Sequence, residues 1–294
     1  VKVRALVVDT ARELLSRRTL LVYFGIVTLT HLLLLLALQT DVANGMVTSL
    51  RVFGLEGHAS GSGFSLDNSA MPPGLQAEDM VRYLQIALTW ILYPIGVMLA
   101  VFATASLVPH MLEKGTIDLL LSKPVSRSVL FGARYLGALL IAGANLLYFV
   151  GGIGVILALK TGVWNGGFFL SGLLMTVYFG ALLGFLVLCG ALLRSTTIAI
   201  MAAALVYLVS LAVAAPHANA DWPNLITSHA GRFVTVSIVE ILYHALPRTL
   251  EMGTLITSLV LHRPIDSWMP VVWTMLSGGA ALALALAWFR RADF

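Results

Sequence analysis

The sequence predicts an all-α integral membrane protein with six transmembrane helices, and three observations carry that prediction. Of its 294 residues, 59% are hydrophobic and only 11% charged, with a mean hydropathy of +0.92. Soluble domains carry about 25% charged residues. Six apolar runs each approach or exceed the ~20 residues that a helix needs to cross a bilayer. The basic residues also gather in alternate connections between those runs. Around the six helices the reading places an N-terminal amphipathic helix, a short cytoplasmic helix and short extracytoplasmic helices that are interfacial or re-entrant. With no long polar stretch to mark a separate soluble unit, residues 1–294 read as one transmembrane domain.

Residues 1–18 carry Lys2, Arg4, Arg12, Arg17 and Arg18, with Val3, Leu6, Val7, Thr10, Ala11 and Leu14 on one side at helical spacing. That pattern fits a helix lying in the membrane interface. The first span is about 20–38, ~28 Å of helix at 1.5 Å per residue. It exceeds the 7–15 apolar residues of a signal peptide, and Leu38–Gln39–Thr40 offers no small-residue cleavage site, so it reads as a permanent helix. Residues 39–82 are polar and rich in Gly and Ser, with five acids (Asp41, Glu56, Asp67, Glu78, Asp79) against Arg51 and Arg82. Within them, Val47–Leu55 fits either a strand or a short helix. The second span, about 83–108, contains Pro94 and is expected to kink there.

Residues 109–134 separate the second and third spans. Ile117, Leu119, Leu120 and Leu121 form an apolar block between Gly115 and Pro124, far too short to cross. A surface helix fits better, with Asp118 early and Lys123 late to suit the helix dipole and Pro124 as its stop. The third span is about 135–159 and the fourth about 168–193, where Gly180 and Gly184 form a GxxxG pattern that permits close helix approach. A short turn at 194–197 leads to the fifth span, about 198–215. Residues 216–270 hold no clean span; two short helices broken at Pro247 are expected. The sixth span is about 271–289.

Charge orients the chain. With six spans both termini share a side with 109–134 and 194–197, and that side holds 12 of the 18 Lys and Arg residues. The positive-inside rule makes it cytoplasmic and leaves 39–82 and 216–270 extracytoplasmic. The same distribution explains the pI near 9.4 without a nucleic-acid partner.

Glu113, Gly115 and Thr116, then Leu119–Leu121, Ser122, Pro124, Val125, Ser126 and Arg127, resemble the E-x-G-T … L-L-x-x-P-x-S-R signature of ABC-2 type transporter permeases. They are similar in particular to bacterial permeases encoded with copper-enzyme maturation systems. The resemblance implies that this stretch is a coupling helix that docks on a separate ABC ATP-binding subunit. Residues 1–18 would be the elbow helix, and LYHALPRTLEM the extracytoplasmic segment before the last helix. The implied contact set is Glu113, Gly115, Thr116, Ile117, Leu119, Leu120, Pro124 and Arg127, joined by Arg12 and Arg17. A second permease chain, identical or different, would pair with this one in the bacterial cytoplasmic membrane. ATP and Mg would sit in the partner subunit, with no cofactor in this chain.

The chemistry missing from the sequence agrees. There is no GxxxxGK[ST] phosphate loop, no HExxH and no nucleophile elbow. Cys189 is the single cysteine and the seven histidines are scattered, so no metal set and no catalytic set is assigned. His31 and Asn145, polar within spans, are candidate pathway residues; interhelical hydrogen bonding is the plainer role for both. Three functions follow: an export permease, a mechanotransmission subunit that drives an extracytoplasmic protein without moving solute, and a membrane-embedded enzyme using His31 or Glu240.

Overall fold

The computed structural model describes residues 7–8, 10, 12–13, 18–43, 46–52, 55–56, 58–60, 63–65, 77–111, 126–218 and 229–291. Six helical segments in it are long and apolar enough to cross a membrane. The first is α1 (Arg18–Ala37); the second is formed by α2 (Ala77–Thr104) and the short α3 (Leu107–Met111). They are followed by α4 (Arg127–Thr161), α5 (Gly166–Leu193), α6 (Thr196–Ala218) and, after two shorter helices, α9 (Met269–Arg291). The shorter pair is α7 (His229–Ala245) and α8 (Thr249–Val260), separated around Pro247. The all-α membrane architecture is thus present.

Strands occur outside it. β1 (Leu38–Ala43) continues directly from α1 and pairs antiparallel with β2 (Met46–Val52), which pairs with β3 (Leu55–Glu56). β4 (His58–Ser60) and β5 (Gly63–Ser65) form a second antiparallel pair. The segment expected as a polar connection is therefore partly sheet, and of the two alternatives for Val47–Leu55 the strand is the one observed.

α4 begins at Arg127, eight residues before the expected start of the span at Tyr135. Ser126 explains the difference: its backbone is extended and its Oγ accepts a hydrogen bond from the Val129 N–H at 3.4 Å, which caps the new helix. At the other end of the bundle Asn165 caps α5, accepting from Phe168 N–H at 3.3 Å. The same side chain donates to Gln85 Oε1 at 2.6 Å and to the Val260 carbonyl at 3.0 Å, tying the start of α5 to α2 and α8.

α5 is the hub. In its most apolar stretch 67% of residues are buried, against 28–44% in the other five spanning segments. Helices in lipid gain little from hydrophobic exclusion of one another, so close packing has to hold them. A Cβ on Gly184 would lie 2.4 Å from the Gly278 carbonyl oxygen, and one on Gly278 would lie 2.3 Å from Ala181 Cα. Of the GxxxG pattern in the fourth span, Gly184 meets Gly278 of α9 backbone to backbone, while Gly180 faces the Leu139 side chain of α4 at 3.2 Å. Near the start of α5, Gly167 approaches α8 as closely, with 2.2 Å from a would-be Cβ to the Leu259 carbonyl oxygen.

Candidate coupling end and interior polar clusters

Most of the expected coupling contact, Glu113, Gly115, Thr116, Ile117, Leu119, Leu120 and Pro124, lies outside the described residues, as does Arg17. Arg127 is the first helical residue of α4. What the structure describes is the ground on either side of residues 112–125. Residues 7–8, 10 and 12–13 are helical and lie against the start of α4. Thr10 is buried there, so close that a Cβ on Gly137 would meet its side chain at 2.8 Å. Glu13 accepts a hydrogen bond from Arg134, a buried guanidinium. Arg12 is exposed. From the last helix, Arg290 Nε donates to Ser128 Oγ at 2.6 Å, while the Phe289 and Phe131 rings pack at 5.0 Å. The N-terminal helix, the start of α4 and the end of α9 therefore converge beside the segment that joins α3 to α4.

The two polar residues singled out within spans differ. His31 Nε2 lies 2.9 Å from the Phe149 carbonyl, and the nitrogen facing a carbonyl must carry the proton. Its ring meets Tyr148 edge-on at 4.9 Å and fills the space that a side chain at Gly152 would need, 2.3 Å from that Cβ position. This ties α1 to α4. Asn145, buried on α4, has no hydrogen-bond partner for either amide atom among the described residues. Such groups cost about 1–3 kcal/mol when left unsatisfied.

Further polar groups are joined in pairings that the sequence did not indicate. Between α5, α6 and α8, the Tyr178 hydroxyl meets Thr249 Oγ1 at 2.6 Å; Thr249 Oγ1 also meets Ser210 Oγ, which donates to the Pro247 carbonyl. Tyr93 and Ser171 pair in the same way between α2 and α5. At the corner of α7 and α8, Glu251 accepts from Tyr243 and from Arg248 Nη1, the latter at 3.0 Å. Arg248 lies over the Tyr243 ring at 4.4 Å and the Trp273 ring at 5.3 Å. Burial lowers the Arg248 pKa, partly countered by Glu240, and pushes the Glu251 carboxyl above its ordinary range despite the adjacent guanidinium. Glu240, half-exposed, sits between His217 at 3.5 Å and His244 at 3.6 Å. No group of three metal-ligating side chains occurs among the described residues.

Among the described residues, this geometry consists of helix ties and of contacts that converge on the start of α4. The sequence profile of a family described as ABC-2 family transporter protein matches residues 11–294. The chain belongs to that family. No curated protein matches it significantly. As an ABC-2 permease it is a multi-pass membrane subunit of an ABC transporter rather than the ATPase, and the family implies an ATP-binding subunit as its partner. Its six spanning segments provide the matching scaffold.

Proposed function

We propose that this permease couples ATP hydrolysis by a separate ATP-binding subunit to export of a substrate across the bacterial cytoplasmic membrane. In this reading both termini face the cytoplasm, and residues 113–127 are the coupling helix and its exit. Glu113, Gly115, Thr116, Ile117, Leu119, Leu120, Pro124 and Arg127 meet the ATPase, with Arg12 and Arg17 at the edge of the contact. ATP and Mg belong to that subunit, and this chain contributes no cofactor. A second permease chain covers part of the apolar surface left on α1, α6 and α9, where Leu21, Leu36, Met201, Leu205 and Leu284 are all exposed.

The observation that carries the reading is the convergence of the N-terminal residues and α9 on the start of α4, where 112–125 leads in. A push delivered there reaches three helices through an ion pair, a hydrogen bond and a ring contact. Leu120→Asp tests it, because the charge would enter a contact that must be desolvated. The expected outcome is loss of the co-purified ATPase while the permease keeps its thermal stability. An intact complex would overturn the assignment.

The strands β1–β5 and the helices α7 and α8, placed between spans on the far side of the bundle, favour one second reading. They give that side a structured surface on which an extracytoplasmic protein could dock, as mechanotransmission requires. ATPase activity stimulated by such a protein and by no solute would select it.

A further inference from the structure

A cavity of about 240 Å³ lies between α2, α5, α6 and α8, in the half of the bundle remote from residues 112–125. Four rings line it, those of Trp90, Tyr93, Tyr178 and Tyr207, together with the thioethers of Met175 and Met252. Trp90 is half-exposed, which places it at the mouth, while Tyr93 and Tyr178 are buried. Tyr178 and Tyr207 meet edge to face at 6.3 Å. Among the described residues, no Asp, Glu, Lys, Arg or His lines the space.

Those walls select chemistry in three ways. A charged ligand would lose its hydration at membrane depth and find no counter-charge among the described residues; for a cation the ring faces return only part of that cost. A ligand rich in hydrogen-bonding groups would find few partners: Tyr93 is engaged with Ser171, Tyr178 with Thr249, Thr249 with Ser210, and Thr89 with the Gln85 carbonyl at 2.7 Å, which leaves the Tyr207 hydroxyl and the Trp90 indole N–H. Aromatic faces and methionine sulfurs, in contrast, attract flat rings with specific edge and face geometry. Size sets the scale, since an apolar cavity of about 150 Å³ is known to hold benzene. The larger volume here suits two fused rings.

We propose that this cavity binds an uncharged, flat molecule of about two aromatic rings and, resting on the exporter reading above, that it holds the cargo. Pro94 also lines the cavity, on the helix that leads through α3 to residues 112–125. A proline there removes the N–H that the Trp90 carbonyl would otherwise accept, which leaves α2 bendable beside the ligand. Occupancy and the coupling end thus share one helix.

The test uses the permease with its ATP-binding subunit in lipid nanodiscs and 2-naphthol as the probe, measured by equilibrium dialysis against empty nanodiscs. Saturable binding is expected in the wild type. 1-Decanol and (2-naphthyl)trimethylammonium should displace the probe at least about tenfold less well than naphthalene does. Leu211→Trp, which fills the cavity, should weaken binding by about tenfold or more, whereas Leu208→Trp, on an exposed face of the same helix, should not. Absence of saturable binding, or equal displacement by the cation or the alkanol, overturns the proposal whether or not Leu211→Trp folds. Unaltered binding in a folded Leu211→Trp protein does so as well. ATP hydrolysis by the same samples separates the two readings. An active complex that fails to bind naphthol refutes the cavity assignment alone, and a permease that binds naphthol but recruits no ATPase refutes the exporter reading.

Discussion

Two adjacent glycines in α9 should respond to the same substitution with opposite signs. A Cβ at Gly278 would sit 2.3 Å from Ala181 Cα and 2.7 Å from Ala181 Cβ, whereas nothing lies within 4 Å of one at Gly279. Bringing the Gly278 contact to an ordinary van der Waals distance requires α5 and α9 to separate by about 1 Å, which forfeits a quarter to a half of the attraction along the seam. With about 40 atom pairs at ~0.15 kcal/mol each, losing a third amounts to ~2 kcal/mol, inside the range for an overpacked core. Alanine returns up to ~1 kcal/mol through its better helix propensity. Gly278→Ala should therefore be net destabilised by about 1 kcal/mol or more, and Gly279→Ala neutral to stabilised by a similar amount. Unfolding in mixed micelles, followed by circular dichroism, reads both. Equal stability of the two variants would falsify the backbone-to-backbone crossing.

The remaining predictions address the ties between helices. His31→Ala should lower stability with little change in the turnover of the complex, and Gly152→Ala should do the same because the two occupy one space. The double variant should be more stable than the sum of the singles predicts, and simple additivity in a double-mutant cycle would refute the contact. Glu13→Gln should strip Arg134 of its counter-charge; with Glu13 partly exposed, a cost of about 1–3 kcal/mol is expected, read as faster hydrogen exchange in residues 7–13. Unchanged exchange there would dissolve the link. Burial raises the folded pKa of Glu251 above its ordinary 4.5. Its stabilising share is therefore complete below that unfolded value and is lost as pH rises through the raised folded one. Hydrogen exchange across residues 246–260 should quicken over that window more in the wild type than in Glu251→Gln. Identical profiles would remove Glu251 as the cause.

How far the sequence reached depended on the kind of signal. The spanning helices were legible because length and apolarity are properties of a continuous stretch, and burial does not disturb them. Two boundaries slipped where a local signal went unread. Ser126 was already a cap three residues before Val129, and Asn44–Gly45 between β1 and β2 is the dipeptide favoured in two-residue hairpins. Cross-helix partners were illegible for a different reason. Helical spacing shows which residues share a face, but not which neighbouring helix that face meets, so Tyr178–Thr249–Ser210 and Tyr93–Ser171 left no trace. His31 shows the limit most clearly, since its partner is a backbone carbonyl that any residue at position 149 would supply.

The packing also distributes stiffness unevenly, and this bears on how a push could travel. α5 touches α9 at Gly184 and α8 at Gly167 through backbone atoms, which cannot yield without moving a helix. At Gly96 of α2, a Cβ would instead meet the Met175 methyl at 2.8 Å and the Phe149 ring at 2.9 Å, ends of side chains rather than backbone. α2 also contains Pro94 and is broken at Ala105–Ser106 before α3 begins. One group of helices is thus clamped by main chain, while the helix leading into residues 112–125 rests on side chains and has two built-in weak points. A force applied at 112–125 would bend α2 before it slid α5 against α9, because side-chain contacts can re-form after a small displacement and interlocked backbones cannot.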